Sequence, residues 1–162
     1  METSREARLD ADVEKKLVSA LLNRLPNESC GLLWGTAANG VIEVGGFRLI
    51  RNAADSPAAQ FRFDAEDWIA AYYEAQKNQR EIVGLFHSHP SGTIVPSESD
   101  LAGFVPWKSY WIVGLQSAGH QIGVYVRQSE AGWAKLPLRV VSGGSSMRTA
   151  HPASSLADPK SV

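Results

Sequence analysis

The stretch Glu81-Ile82-Val83-Gly84-Leu85-Phe86-His87-Ser88-His89-Pro90 constrains this chain more than any other. Its apolar, β-compatible run predicts a strand, and Pro90, which cannot donate to a central ladder, predicts where that strand stops. His87 and His89 then stand two residues apart at the strand end and face the same way, with Ser88 on the opposite side. Two imidazoles that converge in this manner need a third ligand to hold an ion. Ser97-Glu98-Ser99-Asp100 offers one, because it reads as a helix start with Ser97 as N-cap and Asp100 at the third helical position, where a carboxylate is favoured and held in a fixed direction. Structural zinc sites close with four protein ligands, whereas two histidines and one carboxylate leave a position for water. The pattern therefore predicts an open, catalytic type of zinc site.

His-x-His, seven residues, Ser, two residues, Asp is the spacing of His87, His89, Ser97 and Asp100. In this the chain resembles the JAMM (MPN+) zinc metallopeptidases. That family also carries an upstream glutamate in a context close to Pro-x-Glu-x-Cys-Gly-Leu-Leu-x-Gly, and here the matching segment is Pro26-Asn27-Glu28-Ser29-Cys30-Gly31-Leu32-Leu33-Trp34-Gly35. Two separate motifs in the family's order are far stronger than either alone. The resemblance runs from about Leu9 to Val141. It implies an α+β fold, a single-domain mixed and curved β-sheet flanked by helices, of the JAMM/MPN, cytidine-deaminase-like kind. It also implies zinc as cofactor on His87, His89 and Asp100, Glu28 as the base that moves a water proton to the leaving amine, and Ser97 as the hydroxyl donor to the developing oxyanion.

The same resemblance implies a substrate: a peptide or isopeptide bond after the C-terminal Gly-Gly of a ubiquitin-like protein. A Gly-Gly tail suits a narrow cleft, since backbone can approach backbone without side-chain collision, and it could add as a strand beside the active-site sheet. Only nine residues separate Asp100 from Tyr110, and such short connections resemble the compact prokaryotic members. Those either process ubiquitin-like sulfur carriers or remove ubiquitin-like modifiers from targets in bacterial conjugation pathways related to antiviral defence. A homodimer is compatible with the sequence. Two other readings compete: a non-catalytic MPN-type scaffold, which would typically have lost these ligands, and a RadC-like DNA-associated protein, which carries a similar His-x-His-Pro-Ser-Gly stretch.

Charge weighs against the second of these. Lys and Arg number 16 against 17 Asp and Glu, and no basic stripe predicts nucleic-acid binding. No apolar run is long enough for a membrane span, and the charged start Met1-Glu2-Thr3-Ser4-Arg5-Glu6 lacks the apolar stretch of a secretory signal, so a cytoplasmic location is expected. At 162 residues the chain predicts one core, with a domain over 1–142 and an unstructured tail over 143–162. The single cysteine, Cys30, lies in an apolar strand and reads as a small buried hydrophobe rather than a nucleophile.

Periodicity predicts a first helix from Leu9 to Leu25, then a hairpin of Glu28–Thr36 and Val41–Ile50 turning at Asn39-Gly40. A short strand Phe61–Phe63 and a second helix from Asp64 to Asn78 follow, with Trp68, Ile69, Tyr72 and Tyr73 as its inward face. After the His-x-His strand and the short helix at Ser97, strands are predicted at Tyr110–Gln116, Gln121–Arg127 and Ala134–Val141. Phe104, Trp107 and Trp111 divide evenly between core packing and the border of a substrate groove. His120 and His151 have no ligand-like neighbour.

Overall fold

The His-x-His strand lies within one eight-stranded mixed sheet. The computed structural model describes residues 3–98, 100, 107–129 and 132–142. The expected tail over 143–162, Phe104, and the continuation of the Ser97 helix past Asp100 lie outside them. Within them the fold is the expected α+β type, with helices α1 (Ala11–Leu22) and α2 (Ala65–Lys77) and strands β1 (Glu6–Asp10), β2 (Cys30–Ala38), β3 (Val41–Ile50), β4 (Glu81–His89), β5 (Tyr110–Gln116), β6 (Gly119–Ser129), β7 (Gly132–Leu136) and β8 (Leu138–Val141). The strands lie in the order β7-β6-β5-β4-β2-β3-β1-β8.

The first predicted helix starts too early. Ala7, Leu9 and Asp10 are buried while Glu6 and Arg8 are only half-buried, which is the period of a strand. β1 pairs in parallel with both β3 and β8, so Leu9 belongs to the sheet core. The helix begins after Asp10, whose carboxylate accepts from the Asp12 and Val13 amides at 2.8 and 3.2 Å and so satisfies two N-terminal donors. Leu17 and Leu21, one turn apart, are its buried face. Leu22 and Leu25, counted as part of the predicted stripe, are exposed.

The β2–β3 hairpin is as expected, with Asn39 and Gly40 both at positive φ, the geometry of a two-residue type I′ turn. Phe61–Phe63, however, forms only an isolated bridge between Asn52 and Phe63. Helix α2 lies within the predicted bounds, with Asp64 as N-cap accepting from the Asp67 amide and Asn78 as C-cap. Its inward face differs: Ala71 and Ala75 are buried and Trp68 is half-buried, whereas Ile69, Tyr72 and Tyr73 are exposed. Small residues are needed there because the helix lies close against the sheet.

The predicted strand Ala134–Val141 is two strands broken at Pro137. β7 pairs with β6 at one edge of the sheet and β8 with β1 at the other, so consecutive strands occupy opposite ends of the order and the sheet curls until it nearly closes. Proline has no N–H to give either ladder, and its carbonyl accepts from the Ala7 amide at 3.0 Å as the chain crosses.

The two sides of β4 serve different cores. Phe86 packs with Leu9, Leu17, Phe47 and Trp111 on the α1 side, while Leu85 packs with Leu32, Trp34 and Tyr110 on the α2 side. Trp111 is thus core, and Trp107 packs against the α2-side cluster. Parallel pairing of β4 with β5 requires a crossover, and the segment 90–109 that makes it carries Asp100 back toward the end of β4.

Candidate metal centre

His87 and His89 occupy the last turns of the β4 pleat on the α2 side, and Ser88 points the other way, as the strand period requires. Ser88 Oγ accepts from the Ser29 amide at 2.8 Å, and the Ser88 amide donates to Ser29 O at 2.9 Å. These bonds extend the antiparallel register in which Cys30 opposes His87, so Glu28 lies across from His89 just before β2 begins. Asp100 arrives from the crossover. It is oriented by a reciprocal cap: the Asp100 amide donates to Ser97 Oγ at 3.0 Å, and the Ser97 amide donates to Asp100 Oδ2 at 2.9 Å.

These pieces place three acceptor-type atoms in one small triangle. His87 Nε2 and His89 Nε2 are 3.1 Å apart, and Asp100 Oδ2 is 3.1 Å from the first and 3.0 Å from the second. All three side chains are buried. A proton can serve one edge of such a triangle, whereas a cation serves all three corners at once. Ligands about 2.0–2.1 Å from a tetrahedral zinc ion lie about 3.3–3.4 Å from one another, within a few tenths of an ångström of this spacing.

A carboxylate oxygen of Glu28 also lies within 4.8 Å of both imidazole nitrogens, so Glu28, His87 and His89 form a second overlapping group that could hold a metal. Asp100 Oδ2, at 3.0 and 3.1 Å, and Glu28 thus border the same pair of imidazoles from two sides. Among the described residues Glu28 Oε1 is buried without a hydrogen-bond partner. An orphaned acceptor beside a cation site points to a water or other donor between them.

Electrostatics separates the two carboxylates. Burial, reinforced by the nearby Asp100 charge and opposed by His89, pushes the Glu28 carboxyl up to about 7. Burial acts the same way on Asp100, but hydrogen bonds from His87, His89 and the Ser97 amide outweigh it and hold this carboxyl well below the usual range. Burial lowers the His87 pKa against the pull of Asp100, whereas at His89 the contributions of Asp100 and Thr93 O overcome burial and raise it. The two carboxyls are thus pushed in opposite directions by their surroundings.

Sequence reading missed what surrounds these groups. His89 Nδ1 lies 3.0 Å from Thr93 O, a carbonyl that can only accept, so Nδ1 carries a proton and the ring is held with Nε2 facing the centre. Thr93 can reach it because the loop after β4 lies directly on β5: a Cβ at Gly114 would overlap the Gly92 carbonyl. Phe61 stacks on His87 with ring centroids 4.3 Å apart and planes 20° from parallel. The alternation Phe61-Arg62-Phe63 is visible in the sequence, but nothing local says that it serves an imidazole rather than a ladder. Ser97 is exposed beside the triangle, and its hydroxyl is placed by the cap. Cys30 is fully buried with its thiol pushed up to about 12 by burial, and Sγ lies 3.4 Å from Ile50 O.

The family described as prokaryotic homologs of the JAB domain matches residues 10–126. A desampylase of Pyrococcus furiosus is 40% identical over 86 residues, a match that spans 53% of this chain and 58% of that protein. A protein of Desulfitobacterium hafniense solved in solution superposes with a TM-score of 0.74 at 25% identity, covering 84% of this chain and 93% of the other. Another from Salinibacter ruber gives 0.61 at 23% identity, covering 83% and 90%, and speaks for the fold alone.

Proposed function

The chain belongs to the prokaryotic homologs of the JAB domain, and on that premise we propose that it is a zinc-dependent isopeptidase that cleaves after the C-terminal Gly-Gly of a ubiquitin-like protein. The observation that carries this reading is the triangle of His87, His89 and Asp100 with the orphaned Glu28 oxygen beside it. Three ligands and an adjacent carboxylate of raised pKa are what metal-assisted hydrolysis of an acyl bond requires.

His87, His89 and Asp100 would hold the ion. When bound, zinc supplies Lewis acidity, which makes water easier to ionise and a carbonyl easier to attack. Glu28 accepts the proton of the attacking water and returns it to the leaving amine, and its buried Oε1, which has no hydrogen-bond partner among the described residues, is open to that role. Ser97, fixed as a cap by accepting from the Asp100 amide, offers its hydroxyl hydrogen to the carbonyl oxygen as charge develops there. Phe61 shields the His87 face of the site.

The substrate class rests on the relative's name, desampylase, which denotes removal of a ubiquitin-like modifier and favours deconjugation over processing of a sulfur-carrier precursor. The chain spans 58% of that relative's length. The test is to offer a ubiquitin-like protein extended past its Gly-Gly end, and the same protein conjugated to a lysine, with products identified by intact mass. Cleavage after the second glycine, abolished by a chelator and restored by zinc, is expected. Equal cleavage when Val-Val replaces Gly-Gly would refute the specificity, because β-branched side chains obstruct close backbone approach.

A further inference from the structure

Glu28 stands outside the sheet that holds the two histidines. β2 starts at Cys30, and the last cross-strand bonds toward the site belong to Ser29 and Ser88. Both main-chain groups of Glu28 are instead taken by the loop between β3 and α2. Its amide donates to Pro57 O at 2.8 Å, and its carbonyl accepts from Asn52 Nδ2 at 2.9 Å.

Asn52 does more than this. Its second Nδ2 hydrogen goes to Gln60 O at 2.9 Å, with Pro57 O at 3.5 Å alongside, while Oδ1 accepts from the Ala54 amide at 3.0 Å and the Arg62 amide at 3.0 Å. The Ala54 contact is an Asx-turn, the only part of this arrangement that is local in sequence. Both donors and both lone-pair directions of one carboxamide are therefore spent on tying loop 52–62 into a ring and on tying that ring to Glu28. The same ring presents Phe61 to His87.

Resting on the reading of Glu28 as the proton-transferring base, we propose that Asn52 is a positioning residue: its carboxamide sets where Glu28 stands relative to the histidines, through the Glu28 carbonyl. The two ends of the carboxamide can be separated by substitution. Asn52→Asp keeps an oxygen for the Ala54 and Arg62 amides but turns a second, charged oxygen toward the Glu28 and Gln60 carbonyls, which repels them. Asn52→Ala removes both ends and leaves a space in which water can bridge the Glu28 carbonyl.

The zinc-loaded full chain is compared as wild type, Asn52→Asp, Asn52→Ala and Glu28→Gln by zinc content, kcat and KM on the Gly-Gly-extended substrate, and amide hydrogen exchange. A displacement of about 1 Å in a catalytic group costs up to about 100-fold. Asn52→Asp is expected to keep its zinc and slow exchange at Ala54 and Arg62, to exchange faster at the Glu28 amide, and to lose kcat by about 10–100-fold with KM nearly unchanged. Asn52→Ala is expected to exchange fast at Ala54 and Arg62 yet lose less kcat. This crossed order is what a merely structural loop residue would not give.

Wild-type kcat or unchanged Glu28 protection in Asn52→Asp overturns the proposal, as does kcat that simply follows loop protection. If the aspartate variant does not fold, wild-type kcat in a zinc-replete Asn52→Ala overturns it equally. Near-normal turnover in Glu28→Gln sinks the base reading instead. In that event the exchange at the Glu28 amide still decides whether Asn52 positions the residue.

Discussion

Replacing Glu28 by glutamine tests the centre on two independent scales. The side chain keeps its shape and loses its ability to accept a proton. For turnover, removal of a general base lowers kcat by about 10²–10⁴-fold, or about 3–5 kcal/mol in barrier, while zinc content stays at the wild-type level because His87, His89 and Asp100 are untouched. For stability, the sign follows from burial. The folded carboxyl titrates at about 7 against an ordinary value of 4.5, so in metal-free protein the folded state resists ionising this group. That cost is absent below the unfolded pKa, grows as pH rises between the two values, and is complete above the folded one.

The rise from 4.5 to about 7 sets an upper bound of about 3 kcal/mol, and partial access of water to the site brings the expected difference to about 1–2 kcal/mol. Chemical denaturation in the presence of a chelator should therefore find Glu28→Gln more stable than wild type at pH 8 and equal to it at pH 4. Zinc should erase the advantage, since a cation beside the carboxylate offsets its burial. Turnover within about threefold of wild type would rule out Glu28 as the base. Equal apo stability at pH 8 would show that the carboxylate is not held against its burial at all.

Loss of one ligand should empty the site: Asp100→Ala or the pair His87→Ala/His89→Ala should retain little zinc by elemental analysis after gel filtration, and full occupancy in the double variant would refute the triangle. Thiol reagents should leave native protein unmodified and turnover unchanged, because Cys30 is buried with a thiol titrating at about 12; labelling in the folded state, read by intact mass, would contradict this. Leu9→Ala should cost about 2–5 kcal/mol in denaturant unfolding, as for a core strand residue. A change under 1 kcal/mol would argue against β1 as part of the sheet core.

Two kinds of information made this molecule, and they divide along the range over which each acts. His87, His89, Ser97 and Asp100 were legible in the sequence because a strand end and a helix start each impose a short period and a fixed direction on their own side chains. The Asn39-Gly40 turn and the bounds of the second helix at Asp64 and Asn78 were legible for the same reason, and the burial of Cys30 from its place in an apolar run. Where a local signal has two solutions, sequence alone does not choose between them: Leu9 fits a helical stripe and an alternating strand equally well, and partners in β3 and β8 decide for the strand. Likewise Ala134–Val141 reads as one run, and only the closing of the sheet assigns its halves to opposite edges.

Phe61 on His87, Thr93 O behind His89, and Asn52 beneath Glu28 have no periodic signature, since each links segments far apart in the chain or uses a backbone carbonyl that any residue could provide. The distances among the ligands belong with them. Sequence spacing determined which residue types could meet, but the parallel crossover from β4 to β5 brought Asp100 within 3.1 Å of both imidazoles, and the hydrogen bonds that Asp100 receives there, which Glu28 lacks, separated the proton affinities of the two carboxyls. A carboxylate's pKa is a property of what surrounds it, and the surroundings exist only once the chain has closed around the site.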